Sequence, residues 1–136
     1  MKSVPIGGLD HVGLRVADID RALAFYARFG FMPTHRDTAR ALATARTASG
    51  VELNLVGGAE PRLRYPNVLV DDPVKRPGFT HVAFAVTSLV QTMSALEAAG
   101  VPIVDGPVVL GGNKRSVFVR DPDANLVELT ELIAPP

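Results

Sequence analysis

Four residues of this chain have side chains and spacings that could do chemistry. His11 lies in "LDHVGLRV" (9–16) and His81 in "FTHVAFAV" (79–86), two apolar runs with strand-like composition. Glu52 lies in "VELNLV" (51–56) and Glu128 in "NLVELTEL" (125–132). A carboxylate set among aliphatic residues in mid-strand is costly unless it is paired or bound to a metal. Taken singly, a strand histidine is usually a hydrogen-bonded core residue and a strand glutamate usually faces water. Four of them at paired positions invite a shared reading. Two imidazoles and two carboxylates make a mixed nitrogen and oxygen set suited to one divalent Zn, Ni, Co, Mn or Fe ion.

The pairing rests on an internal repeat. When 9–30 is laid over 79–100, His11 falls on His81 at an offset of 70 (81 − 11), Val12 on Val82, Val16 on Val86 and Gly30 on Gly100. The two glutamates are related by a similar offset of 76 (128 − 52). Each copy opens with a strand-like run and then turns polar at Asp18 or Ser88, both good helix N-caps. Helical periodicity follows at Ile19, Leu23 and Tyr26, and at Leu89, Met93 and Leu96. Gly30 and Gly100 suit the left-handed position that ends a helix. Further strands are expected at 41–47 and 50–56, and in a hairpin across 116–132 that turns at Asp121-Pro122-Asp123-Ala124. The stretch from Met32 to Asp37 is irregular. The expected organisation is a single α+β domain of two βαβββ modules, about 8–57 and 79–133. Residues 58–78 form a proline-rich connection. Mixed sheets are expected to curve around a metal or ligand cavity, with the helices on the outer side.

Strand alternation places His11, Gly13 and Arg15 on one face and Val12, Leu14 and Val16 on the other. It likewise groups His81 with Ala83 and Ala85. The bulky faces should pack on the helices, and the small neighbours of the histidines leave room for a ligand. Arg15 is either a holder of a substrate carboxylate or a partner in a salt bridge at the sheet edge. Asn54 and Thr130, one alternation beyond Glu52 and Glu128, are candidates to line the site. His35 reads as a surface or loop residue, and Glu131 as one that reaches water. "LGGNKR" (110–115) is either a mobile loop or a plain hairpin connection.

Composition narrows the function classes. Lys plus Arg number 14 and Asp plus Glu number 14, so the formal net charge is zero and nothing resembles a nucleic-acid or anionic-membrane surface. Cysteine is absent, which excludes disulfides, thiolate metal sites and a cysteine nucleophile. No apolar run approaches the ~20 residues that span a bilayer, and the first residues lack a signal-peptide core. A soluble cytoplasmic protein with a small-molecule substrate is the expectation.

With these residues in place, the chain resembles the vicinal oxygen chelate superfamily, which includes glyoxalase I, extradiol dioxygenases, and fosfomycin- and bleomycin-resistance proteins. The likeness runs from "LDHVGLRVADIDRALAFYARFGF" through "GFTHVAFAV" to "FVRDPDANLVELTEL", where Ala124 replaces the usual glycine of a "DPDGN" turn. It implies that His11, Glu52, His81 and Glu128 are metal ligands, a set similar to that of glyoxalase I. It further implies a metal-dependent lyase or isomerase that acts on vicinal oxygens through a metal-stabilised enediolate, with Glu52 or Glu128 as acid–base residue. Arg15 matches an arginine that binds glutathione, a candidate co-substrate, whereas the glutathione-binding asparagine of that family falls at Val56. The alternatives within the family are an Fe(II) ring-cleaving dioxygenase using His11, His81 and Glu128, and a drug-binding protein without turnover. A homodimer, with sites that can combine modules of two chains, is also implied.

Overall fold

The computed structural model describes residues 2–133. The chain divides into two compact units between Leu63 and Arg64. The first contains β1 (Val12–Arg15), α1 (Ile19–Ala27), β2 (Met32–Asp37), β3 (Leu42–Arg46) and β4 (Glu52–Val56). The second contains β5 (Val82–Ala85), α2 (Leu89–Ala98), β6 (Asp105–Leu110), β7 (Lys114–Arg120) and β8 (Leu126–Leu132). Their sheets are ordered β1-β4-β3-β2 and β5-β8-β7-β6. In each, the first strand runs parallel to the last and the remaining pairs are antiparallel. The α+β fold of two βαβββ modules with mixed sheets is therefore the observed one.

Both helices begin where their caps stand. The Asp18 side chain accepts the Arg21 amide at 3.0 Å, and Ser88 Oγ accepts the Gln91 amide at 3.2 Å. Beyond the helices, Gly30 and Gly100 have φ of +85° and +69°, a conformation glycine adopts without steric cost. α2 has a second cap that the sequence reading missed. Glu131 accepts the Leu89 amide at 3.1 Å across 42 residues, so it serves the helix N-terminus and does not simply reach water.

The core of the first unit is a small-on-large arrangement. Ala45 pairs with Leu53 and Ala43 with Leu55, and all four are buried. The short alanines accept the buried stripe Ala22, Phe25 and Tyr26 of α1, whose two rings meet edge to face at 5.0 Å. The stripe is centred on these residues, while Leu23 is only half-buried. In the second unit Val117 pairs with Leu129 and Val119 with Val127, all buried, beneath Leu89 and Leu96 of α2. Among the described residues no helix is long and apolar enough to cross a membrane.

One segment departs from the expectation, and another takes one of the two forms expected of it. Residues 32–37 form a full strand, with a bulge between Pro33 and His35. Without the inserted residue His35 would stand level with Ala43, on the helix side. The bulge sets it opposite Thr44 instead, on the face that carries Asn54. Arg36 then points to the helix side and pairs with Asp20 at 2.6 Å. Within 110–115 the β6–β7 hairpin turns at 111–113, with Gly111 and Gly112 at positive φ, the plain hairpin connection of the two readings.

Candidate functional site

In the first module the chemistry gathers at the start of β1. His11, Glu52 and the preceding Asp10 each offer a ligand atom, and these atoms lie within 4.8 Å of one another. His11 Nδ1 is 2.7 Å from the Asp10 carboxylate, an arrangement that leaves Nε2 for a ligand. Glu52 is half-buried, with a side chain 22% exposed, and its nearest cation is Arg46 at 3.7 Å. The contact is loose enough for the carboxylate to move.

The second module holds its pair more tightly. His81 Nε2 is 2.7 Å from Glu128 Oε2, and Glu128 is only 7% exposed. The ring of His81 meets the edge of buried Phe118 at 5.4 Å, and Phe118 stands opposite Glu128 in the β7–β8 register. On the other side, Thr80 Oγ1 lies 2.8 Å from His81 Nδ1. The Thr80 carbonyl accepts from Asn67 Nδ2 at 2.6 Å. Asn67 is itself clamped, its amide donating to Asp71 at 3.1 Å, and Asp71 pairs with Arg120 of β7. The Arg120 guanidinium holds the Asp71 carboxyl below the ordinary carboxylate range. The connection expected at 58–78 thus supplies Asn67, which together with Thr80 braces His81.

The remaining expected site residues have these settings. Arg15 Nη1 donates to the Gly57 carbonyl at 2.8 Å, tying β1 to the end of β4. Gly57 follows Val56, the register partner of Arg15, which places this carbonyl within reach of the guanidinium. Thr130 Oγ1 accepts from the buried Ser116 hydroxyl at 2.9 Å, on the Glu128 face. Asn54 faces the same side as Glu52, and its Oδ1 is buried without a hydrogen-bond partner among the described residues. Opposite Asn54, a methyl group added at Gly13 would meet nothing within 4 Å.

The register corrects the pairing of the two glutamates. Gly13 pairs with Asn54, and the repeat equivalent of Gly13, Ala83, pairs with Glu128. The backbone bonds agree, since the Val16 amide donates to the Val56 carbonyl and the Val86 amide to the Thr130 carbonyl, each at 2.8 Å. The counterpart of Glu128 is therefore Asn54, at an offset of 74 (128 − 54), and Glu52 corresponds to Leu126. "VELNLV" and "VELTEL" match best by letter at 76, but backbone pairing and not identity decides which side chains stand level.

Asp10, Thr80 and Phe118 were missed by sequence reasoning, although signals existed. Asp10 and Thr80 occupy the same place in the repeat, one residue before each histidine. Counting back from the Asp121–Ala124 turn sets Phe118 opposite Glu128. A separate groove of about 320 Å³ between α2 and β6 is lined by apolar side chains and Arg115, and contains none of these residues.

The donor set fits a divalent ion on its own chemistry. Each module offers an imidazole beside a carboxylate, with the far ring nitrogen oriented by a neighbour. An additional oxygen, Asn54 Oδ1, has no partner among the described residues.

Comparison with known proteins agrees with this architecture. Residues 8–129 match the Glyoxalase/Bleomycin resistance protein/Dioxygenase superfamily. A probable lactoylglutathione lyase of Vibrio cholerae is 30% identical over 125 residues, covering 89% of this chain and 88% of that protein. The crystal structure of a glyoxalase family protein from Bacillus cereus superposes with a TM-score of 0.74 at 21% identity, covering 98% of this chain and 99% of the other. The fosfomycin resistance protein FosX of Listeria monocytogenes superposes at 0.71 with 22% identity, covering 92% and 91%. A match through nearly the whole repeat, with both histidine strands inside it, means that the chain belongs to the Glyoxalase/Bleomycin resistance protein/Dioxygenase superfamily.

Proposed function

We propose that the protein is a divalent-metal-dependent lyase or isomerase of glyoxalase I type, with His11, Glu52, His81 and Glu128 as the metal ligands. The observation that carries this reading is a histidine close to a glutamate in each module, His11 with Glu52 and His81 with Glu128. A bound Zn, Ni, Co, Mn or Fe ion would supply Lewis acidity toward two vicinal substrate oxygens. The chain's own residues handle the proton. Glu52, half-buried and loosely held, is the better acid–base group, taking a proton from the carbon beside the polarised carbonyl and returning it to the adjacent carbon. Glu128, buried against His81, is the better permanent ligand. Arg15, Asn54 and Thr130 lie on the faces that carry these groups and are proposed to hold the substrate. A thiol adduct, formed with glutathione or another thiol, is the substrate class to test first.

The test is hemithioacetal isomerisation by purified protein reconstituted separately with each of the five metals. Turnover with at least one, abolished by a chelator and restored by the metal, is expected. No turnover with any of them would overturn the assignment. Under the same reading a homodimer is proposed. Large apolar side chains at Val4, Ile6, Leu9, Leu63, Tyr65 and Phe79 are at least 71% exposed. Light scattering at micromolar concentration should return twice the chain mass, and a monomer would contradict it.

A further inference from the structure

We infer that Asn54 Oδ1 is an oxygen ligand of the first module, taking in that half the place Glu128 has in the second. This inference rests on the metal-dependent reading above. Three independent observations support it. The register sets Asn54 opposite Gly13 as it sets Glu128 opposite Ala83, so the two side chains project from matching points of matching sheets. Asn54 Oδ1 is buried with no hydrogen-bond partner among the described residues, a costly state that a ligand would relieve. Gly13, the register partner of Asn54, carries no side chain to crowd it, and a Cβ built there would touch nothing within 4 Å.

The consequence concerns Glu52. A glutamate that holds the substrate proton cannot at that moment donate the same oxygen to a metal. A first module with His11 and Glu52 alone would then be left with one donor. Asn54 supplies the second, and being neutral it does not compete for the proton. An amide oxygen binds a divalent ion more weakly than a carboxylate, so while Glu52 holds the proton the ion is held with one fewer negative charge than by two ionised glutamates.

Co(II) titration of the metal-free protein, followed by calorimetry and by the visible absorption of the bound ion, tests this. Asn54→Leu should weaken Co(II) binding about 10-fold or more, and Asn54→Asp should tighten it about 10-fold. Glu52→Gln should weaken Co(II) binding without abolishing it, because Asn54 remains a donor, and should remove turnover. Thermal unfolding of each metal-free variant checks the fold, and Asn54→Asp, nearly isosteric, keeps the test decisive if Asn54→Leu unfolds. Wild-type affinity in both Asn54 variants, with binding lost in Glu52→Gln, would overturn the inference and leave the metal-dependent function standing. Wild-type protein that takes up no Co(II) would instead defeat that function, and the inference with it.

Discussion

Replacing Glu128 with glutamine should lower the proposed metal-dependent activity about 1000-fold while leaving the fold intact. The amide side chain keeps the size of Glu128 and can still accept a hydrogen bond from His81, whose Nε2 lies 2.7 Å from the carboxylate. What is lost is the negative charge in a pocket only 7% exposed, where charge acts with little screening. Lewis-acid stabilisation contributes several kcal/mol, and each ~1.4 kcal/mol is tenfold in rate. His81→Ala should lower the activity to a similar extent and, unlike Glu128→Gln, should also cost stability. It removes the nitrogen donor and also strands a buried carboxylate, a change that costs about 3 kcal/mol at the lower end of the range for broken buried pairs. The low end applies because the His81 side chain is itself 24% exposed. Chemical denaturation without metal should therefore separate the two variants, and metal-loaded kinetics should not. If Glu128→Gln retained wild-type activity and metal affinity, Glu128 would be no ligand.

Gly106→Ala should be the most destabilising single methyl addition among the glycines. Gly106 has φ of +93°, and a Cβ there would lie 2.5 Å from the Ser116 carbonyl oxygen and 3.1 Å from Val117 Cα. Both obstacles are backbone of β7, so no side-chain rotation relieves them. Left-handed backbone strain of about 1–2 kcal/mol and overpacking of about 1–3 kcal/mol add in the same direction. A drop in Tm of about 10 °C or more is expected. Gly112→Ala is the control. Its φ of +77° carries the backbone cost, but nothing lies within 4 Å, so it should lose about 1 kcal/mol. Equal melting temperatures for the two variants would show that the close approach to β7 has no energetic weight.

The secondary structure was largely legible because it is encoded locally. Asp18 and Ser88 cap helices within three residues of themselves, Gly30 and Gly100 end them, and alternation sorts His11 and His81 from their bulky neighbours. The Asp121–Ala124 turn closes the hairpin that was expected of it. Glu131 was misread because its partner, the Leu89 amide, is 42 residues away and belongs to another element. His35 is exposed, as expected of a surface residue, but the strand at 32–37 was not legible, because a bulge adds one residue to the count and alternation has no way to register an insertion.

The sequence by itself determined the repeat, the two histidine strands, the helices and the oxygen-and-nitrogen character of the candidate site. Each of these depends on residue type and on spacings shorter than one element. Only the tertiary structure decided what stands level with what. It paired Glu128 with Asn54 in the repeat, braced His81 through Thr80 and Asn67, tied Arg15 to Gly57, and turned His35 onto the Asn54 face. Strand register is set by hydrogen bonds between segments distant in the chain. A shift of one residue reverses a face and a shift of two moves a ligand by one row, and neither leaves a mark in the local sequence pattern.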